Sequence, residues 1–513
     1  MTAPASELAP PLTRRQLMIG VLALTAAGCV RRRPTDRDST LIIGGTYFGR
    51  IFSPSVDNDA KHLVFLSLAA WGPNGKLEGR LAERWEPSPD YHEWTYHLRR
   101  NVRWHDGVPV TAHDVKFTFD LEIRPDVLQE SRSLFQSVDV LDDWTVRIRS
   151  VNTTGYLLDN IVFPRHLLES LDPAKFREWD FWSHPVGDGP YRFKRTVPDV
   201  MVELGANSDF YGGKPAIERV VLKTVSTGAH AISELRSGAV DLLVYADPAQ
   251  IPILRSEPRF RAYFEIFEWG SLAIFWQTRG ALLSDPRVRR ALTMAIDRRE
   301  LLGILNWPRD LPIYDGPLTG HQVERHQWPD PLPYDPTQAR ALLEQAGWHE
   351  VGGDGVREHE GQRLQLIGLV PPEVPYRTIA TYVQDRLRRV GVRLELLFLE
   401  RASMRARLST GTFDAYFGGK TTSPEGVAGV FEFYPNPAVA RLIAEAKLTD
   451  APAEQDRIYG ELMDICRTEM PVTFLFPGVT TFFAHRRVHG LSSPWRGNPM
   501  PRMDELSLGP ADR

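Results

Sequence analysis

From Leu41 onward, short runs of β-branched and aromatic residues alternate with longer stretches in which apolar residues recur every three or four places. The short runs read as strands, and the 3.6-residue period reads as amphipathic helix. Strands are predicted over residues 41–43, 94–98, 145–148, 220–222, 364–369, 392–398 and 472–476. Helices are predicted over 111–122, 229–237, 285–304, 335–346, 378–390 and 453–468. Some have clear starts: Asp335-Pro336 sets an N-cap acceptor before a proline, and Thr111 stands three places before Asp114, close to a capping box. Alternation of the two periods predicts an α/β fold with mixed sheets. The chain shows no internal repeat, heptad run or low-complexity tract.

A different pattern precedes this region. Arg14 and Arg15 stand before residues 17–27, eleven places without a charge. That is the layout of a signal peptide. As a helix the run rises roughly 17 Å, and a membrane span needs about twenty residues, so a permanent transmembrane helix is not expected. Thr13-Arg14-Arg15-Gln16-Leu17-Met18 resembles the twin-arginine export signal, with Sec export as the other reading of a basic start. Ala26-Ala27-Gly28-Cys29 resembles a bacterial lipobox, although Ala26 holds the place where that pattern has Leu. The resemblance implies a signal peptide over 1–28, lipid attachment at Cys29 and a linker over 29–40, with Arg31, Arg32 and Arg33 near lipid head groups. The alternative is an ordinary signal peptide followed by an incidental cysteine.

Composition narrows the picture. The 513 residues are 42% hydrophobic and 25% charged, which excludes disordered, collagen-like and disulfide-scaffold proteins. The length is enough for roughly three domains. A net charge of −4 gives no general field for collecting nucleic acid, and no nucleic-acid partner is expected. There are two cysteines. With Cys29 acylated, no internal disulfide can form, and Cys466 sits among Ile458, Leu462, Met463 and Ile465, where it reads as a small core hydrophobe.

A series of blocks then follows in order. Leu81-Ala82-Glu83-Arg84-Trp85-Glu86 leads to Trp104-His105-Asp106-Gly107-Val108-Pro109 and Thr111-Ala112-His113-Asp114-Val115-Lys116-Phe117. Gly187-Asp188-Gly189-Pro190-Tyr191 comes next, then Asn207-Ser208-Asp209-Phe210-Tyr211, Leu235-Arg236-Ser237-Gly238, Asp285-Pro286-Arg287-Val288 and Tyr334-Asp335-Pro336. Physically these are turns and caps. Residues 103–109 read as two extended runs joined at Asp106-Gly107, and Val115 and Phe119 share a helix face that can pack on that hairpin. As an ordered series they resemble the solute-binding proteins of peptide/nickel-type ABC importers.

That resemblance implies a two-lobed periplasmic-binding-protein-like clamshell of the class II type with an extra subdomain in the first lobe. By position, the first lobe covers 41–265 with its inserted subdomain at about 77–160, the second covers 266–475, and 476–513 return to the first. The chain would cross between lobes near residues 265–277 and 472–481, two β-rich runs. The implied partners are a small-molecule or peptide ligand, an ABC permease and, through the lipid anchor, the membrane; the protein itself is expected to be a monomer on the outer side of the inner membrane.

Ligand contacts are expected on loops that follow the strands. Tyr47 and Phe48 follow the first strand, with Tyr47 offering a ring and a hydroxyl. Trp276 either stacks on a ligand or is a core indole, and Gln277 stands where the family usually carries Asn. Peptide-binding relatives usually place an Asp in the loop that here reads Gly419-Lys420-Thr421-Thr422, and a buried ammonium lacking that partner would be costly. Glu425 is the available substitute, while Lys420 favours a ligand with a carboxylate, phosphate or many hydroxyls unless it is simply solvated. Arg377, opening a helix, is a further candidate for an anionic group, against the commoner surface role.

Enzyme motifs fail in detail. Gly418-Gly419-Lys420-Thr421 is no phosphate loop, because Asp414 stands where the first glycine is needed. His92-Glu93, His349-Glu350 and His359-Glu360 lack the second histidine of a zinc helix, and no Gly-x-Ser-x-Gly elbow occurs. No catalytic residue, metal or cofactor is implied. An exported enzyme using the same cleft for turnover remains the second reading.

Overall fold

The computed structural model describes residues 37–46, 48, 52, 59–71, 77–90, 92–124, 135–150, 160–226, 228–244, 247–317, 328–350, 353–421, 426–449, 451–491, 495–496 and 500–510. The export signal and Cys29 lie outside the described residues. The strands that carry the fold are β1 (Thr40–Gly45), β2 (Ala82–Pro87), β3 (Glu93–Leu98), β4 (Phe135–Asp142), β5 (Thr145–Ser150), β6 (Tyr191–Val197), β7 (Met201–Ala206), β8 (Arg219–Thr224), β9 (Leu242–Leu243), β10 (Phe260–Trp276), β11 (Gln365–Val370), β12 (Arg393–Phe398), β13 (Ala415–Thr421), β14 (Val472–His485) and β15 (Trp495–Arg496).

Eleven strands form one sheet in the order β12-β11-β13-β10-β14-β9-β1-β8-β7-β6, with β15 beside β10. A separate four-stranded sheet, β2-β3-β5-β4, is covered by helix α1 (Ala112–Ile123). Two long antiparallel strands, β10 and β14, join the halves of the main sheet. Their ladder is interrupted: Phe267 faces Gly478, and the next pair is Ser271 with Pro477, so residues 268–270 bulge out of register. Pro477 has no N–H to give, and prolines inside sheets belong at such bulges. Beyond the break, β10 is buried on both faces, with Ile274 and Trp276 in one core and Ala273 and Phe275 in another. That explains its near-continuous apolar run.

The sequence blocks meet in space. The half-buried His105 ring joins two of them, with Nδ1 accepting from the Gly187 N–H at 3.2 Å and Nε2 donating to the Gly189 carbonyl at 3.0 Å. Burial lowers its pKa to about 4, against the pull of the Gly189 bond and with help from Arg192, so the ring is neutral. Gly187 admits no side chain there, since a Cβ would fall 1.8 Å from the Val64 carbonyl oxygen. Val115 and Phe119 of α1 are fully buried with Trp104 and Val110, and the Asp114 carboxylate reaches back to the Thr111 N–H at 2.8 Å.

Two buried aspartates, each held by arginine, fasten segments of the fold. Asp241 accepts from Arg37 at 2.6 Å, from Arg487 at 2.8 Å and from the Ile42 N–H at 2.9 Å. Arg298 binds Asp315 at 2.7 Å and also donates to the Phe474 and Leu332 carbonyls. The expected single helix over 285–304 is two, α2 (Pro286–Met294) and α3 (Arg298–Ile304). Asp297 separates them by capping the second, its side chain accepting from the Glu300 N–H at 2.9 Å. Cys466 is fully buried in a core that includes Ile458, Leu462 and Met463, and burial raises its thiol pKa.

Candidate functional site

Strand direction decides where a ligand can enter. β1 runs parallel to β8 and β9, β9 is antiparallel to β14, and β14 is antiparallel to β10. Hence β1, β8 and β9 all point the same way as β10, towards the other half of the sheet. β13 is antiparallel to β10 and parallel to β11, which is parallel to β12, so these three point back. The carboxyl ends of both sets therefore face each other across the break at residues 268–270. In open α/β sheets, ligands bind outside the carboxyl ends of the strands.

The first of these edges is tightly packed backbone. A Cβ on Gly45 would lie 2.7 Å from the Val244 side chain and 2.8 Å from the Phe48 ring. The Gly45 carbonyl accepts from the Val225 N–H at 2.9 Å, and the Gly44 carbonyl accepts from the Val244 N–H at 3.0 Å.

The second edge is aromatic and charged. Helix α4 (Tyr376–Arg388) starts here, and the exposed Arg377 guanidinium lies 4.4 Å from the centre of the Phe398 ring at the end of β12. Lys420, near the end of β13, pairs with Glu432 at 3.1 Å. The Tyr416 ring stacks on Phe275 with centroids 5.6 Å apart, and its pKa is pushed up to about 12, first by burial and then by Tyr376, Glu432 and Glu373. Burial also raises the pKa of Tyr376, with Glu373 adding to it. Both phenols stay protonated at neutral pH and can donate hydrogen bonds. Among the described residues no group of three His, Cys, Asp or Glu side chains is placed to hold a metal ion.

The sequence-derived candidates divide between this edge and elsewhere. Lys420 and Arg377 stand together on it, and Thr421 ends β13 opposite Gly270. Tyr47 and Glu425 lie outside the described residues. Phe48 is corrected from a contact to a core residue, because its ring is fully buried. Trp276 and Gln277 are corrected as well. Trp276 is fully buried, its indole N–H donates to Thr473 Oγ1 at 3.0 Å, and it pairs with Ala415, at the opposite end of β13 from Lys420. Gln277 follows it, buried, with its N–H on the Asp414 carbonyl at 2.9 Å. β10 leaves the cleft after residue 270, so its C-terminal residues are remote from it. The sequence reading missed Tyr376, Tyr416 and Phe398, although Tyr376 directly precedes Arg377 at a helix start.

The profile of the bacterial extracellular solute-binding proteins, family 5, matches residues 76–438, about 70% of the chain. The chain belongs to this family. An ABC transporter peptide-binding protein of Brucella ovis is 32% identical over 292 residues, 54% of each chain, so this chain spans about half the length of that relative. The oligopeptide-binding protein AppA of Bacillus subtilis is 23% identical over 469 residues, 85% of this chain and 86% of the relative. The structure of NikZ from Campylobacter jejuni with Ni(L-His) superposes with a TM-score of 0.71 at 23% identity, covering 92% of this chain and 99% of that one. This likeness shows the fold: the two halves of the sheet are the lobes of a solute-binding clamshell, joined by β10 and β14.

Proposed function

We propose that the chain is the substrate-binding component of an ABC importer, which captures a small polar solute between its lobes and delivers it to a membrane permease without turnover. The observation that carries this reading is the opposition of two sets of strand carboxyl ends across the broken ladder of β10 and β14. A ladder interrupted at residues 268–270 and at Pro477 gives two crossing strands a common place to flex. Ligand that touches both edges then favours closure by its differential affinity for the closed state.

Relatives do not choose the ligand, since one is named for oligopeptides and another holds Ni(L-His). This chain's own second edge supports a ligand with an aromatic or flat apolar part and an anionic group. Tyr376 and Tyr416 supply rings and donors. Arg377 is the cation there with no carboxylate partner among the described residues, whereas the charge of Lys420 is already balanced by Glu432. The pocket in this reading comprises Arg377, Tyr376, Tyr416, Lys420 and Thr421, and the sequence adds Tyr47 and Glu425 as further candidates. An export signal over 1–28, by the twin-arginine or Sec route, and a lipid on Cys29 would hold a monomeric receptor at the outer face of the inner membrane.

Native mass spectrometry of freshly purified protein tests this. One co-purified small molecule at one-to-one stoichiometry, raising Tm on re-addition and released unchanged, is the expected result. Conversion of that molecule to a product would overturn it in favour of an exported enzyme.

A further inference from the structure

The far pole of the first lobe, opposite the cleft, carries a charge pattern that solute binding leaves unexplained. β10 begins there at Phe260, β14 ends there at His485, and β1 begins there at Thr40. Beside these ends lies an open hollow of about 500 Å³, lined by Arg255, Phe260, Arg261, Tyr263, Arg486 and Leu491. All three arginines are exposed, and among the described residues none has a carboxylate partner. The neighbouring acid, Glu257, is already held by Arg236 at 2.7 Å and Arg259 at 2.9 Å. In a chain of net charge −4, three guanidiniums without a carboxylate partner among the described residues, set around one apolar-floored hollow, are a local excess of positive charge.

The path of the chain says what this excess faces. The Arg486 N–H donates to the Arg259 carbonyl at 2.7 Å, and the adjoining Arg487 donates to the Arg37 carbonyl at 3.3 Å. The N-terminal linker therefore enters the fold beside the hollow. Cys29 precedes Arg37 by eight residues, a reach of no more than about 29 Å. A chain tethered at Cys29, as the export reading has it, would keep this pole within that reach of the bilayer surface.

We infer that the arginine-lined hollow docks the phosphate of an anionic phospholipid headgroup and so fixes the orientation of the receptor on its membrane. Guanidiniums bind phosphate oxygens in bidentate fashion, and Phe260, Tyr263 and Leu491 supply a floor against which a glycerol backbone can rest. The inference rests on the membrane-side reading for the presence of a bilayer, while the charge pattern stands without it.

The test compares the full chain with the triple variant Arg255→Ala/Arg261→Ala/Arg486→Ala in co-sedimentation with vesicles of phosphatidylcholine alone or mixed with phosphatidylglycerol. Any acyl group acts equally on both proteins, so the difference between them reports the hollow. The parent should prefer the anionic vesicles, and the variant should lose roughly fivefold per arginine, about a hundredfold in all. The corresponding triple lysine variant should recover most of the preference, and added salt should weaken it. Equal binding of parent and alanine variant to anionic vesicles would overturn the proposal. So would a site that only inorganic phosphate fills, seen as a phosphate-dependent rise in Tm of the parent without any vesicle preference. The Tm shift with the co-purified solute should be the same in all three proteins; its absence in the parent would count against the importer reading and leave the vesicle result standing.

Discussion

The two edges that face each other across the cleft are built on opposite principles. On the first lobe, Gly44 and Gly45 are buried against Val240, Val244 and Phe48, and their carbonyls are held by main-chain N–H groups, so this edge is fixed by packing. On the second lobe, Arg377, Phe398, Tyr376, Tyr416 and the Lys420–Glu432 pair present side chains. The contrast assigns different tasks to the lobes: one supplies a rigid wall whose shape is fixed by packing, and the other supplies chemistry that can vary without disturbing a core. A wall changes when its packing changes, and a chemical face changes when one exposed residue does.

Mutations that separate stability from affinity should break this contrast if it is wrong. The largest effect is expected for Trp276→Ala, which empties a fully buried indole site remote from the cleft. It should cost about 3–5 kcal/mol in urea unfolding while leaving the Kd of the co-purified solute unchanged under folding conditions. A weaker affinity at full folding would return Trp276 to the pocket. Next is Gly45→Val, where the new Cβ meets Val244 and Phe48. A loss of about 1–3 kcal/mol is expected, with the unfolding midpoint as readout, and wild-type stability would show that the first edge is not packed as described.

Arg377→Ala should do the reverse. It should leave the unfolding midpoint nearly unchanged, since Arg377 is exposed and lies over Phe398, and in the proposed pocket it should weaken solute binding roughly tenfold by calorimetry. Unchanged affinity would remove the anionic-group assignment.

The smallest effects are in pH, and they belong to the first lobe. Burial raises the Glu122 carboxyl from 4.5 to about 8, its bond to Asn160 opposing the shift. The folded state thus keeps a proton that the unfolded chain gives up, and the stability this contributes is full below the unfolded pKa and lost as pH rises through about 8. His62 is pushed down from 6.5 to about 4, by burial first and then by Arg80 and Lys61. Its contribution is present above pH 6.5 and lost as pH falls towards 4. Glu122→Gln should therefore gain stability relative to the parent between about pH 5 and about pH 9, read as the difference in unfolding midpoint at each pH. A constant difference across that range would show that Glu122 is charged in the fold.

Local features were readable from sequence because their causes are local. Asp-Pro starts, the Thr111–Asp114 cap and the spacing of Val115 and Phe119 depend on neighbours within one or two turns of chain, and each is found in place. The ordered blocks carried the family resemblance, and two of them meet in space where the Gly187 N–H donates to His105. The cleft was harder. Lys420 and Arg377 were chosen for their chemistry and share an edge, but Trp276 was chosen by the same reasoning and faces the core. Which end of β10 points to the cleft is set by pairing with β13 and β14, some 150 to 200 residues later, and no periodicity within the strand encodes it. The break after Met294 was hidden for a similar reason, as the apolar period continues through Asp297 and only the cap reveals the second helix.

The Asp241 junction has a consequence for the order of events in biosynthesis. Its two arginines, 37 and 487, are 450 positions apart, so the first lobe starts with the first of the described residues and is completed only near the last of them. At a synthesis rate of roughly 5–20 residues per second, Asp241 waits on the order of tens of seconds for its second partner. The second lobe's junction, Arg298 with Asp315 and the Phe474 carbonyl, is complete in the chain before Arg487 is made. The lobe that is first out of the ribosome is thus the last to be finished, and a chain truncated before Arg487 would carry a complete second lobe beside a first lobe whose buried Asp241 keeps only Arg37 of its two arginines.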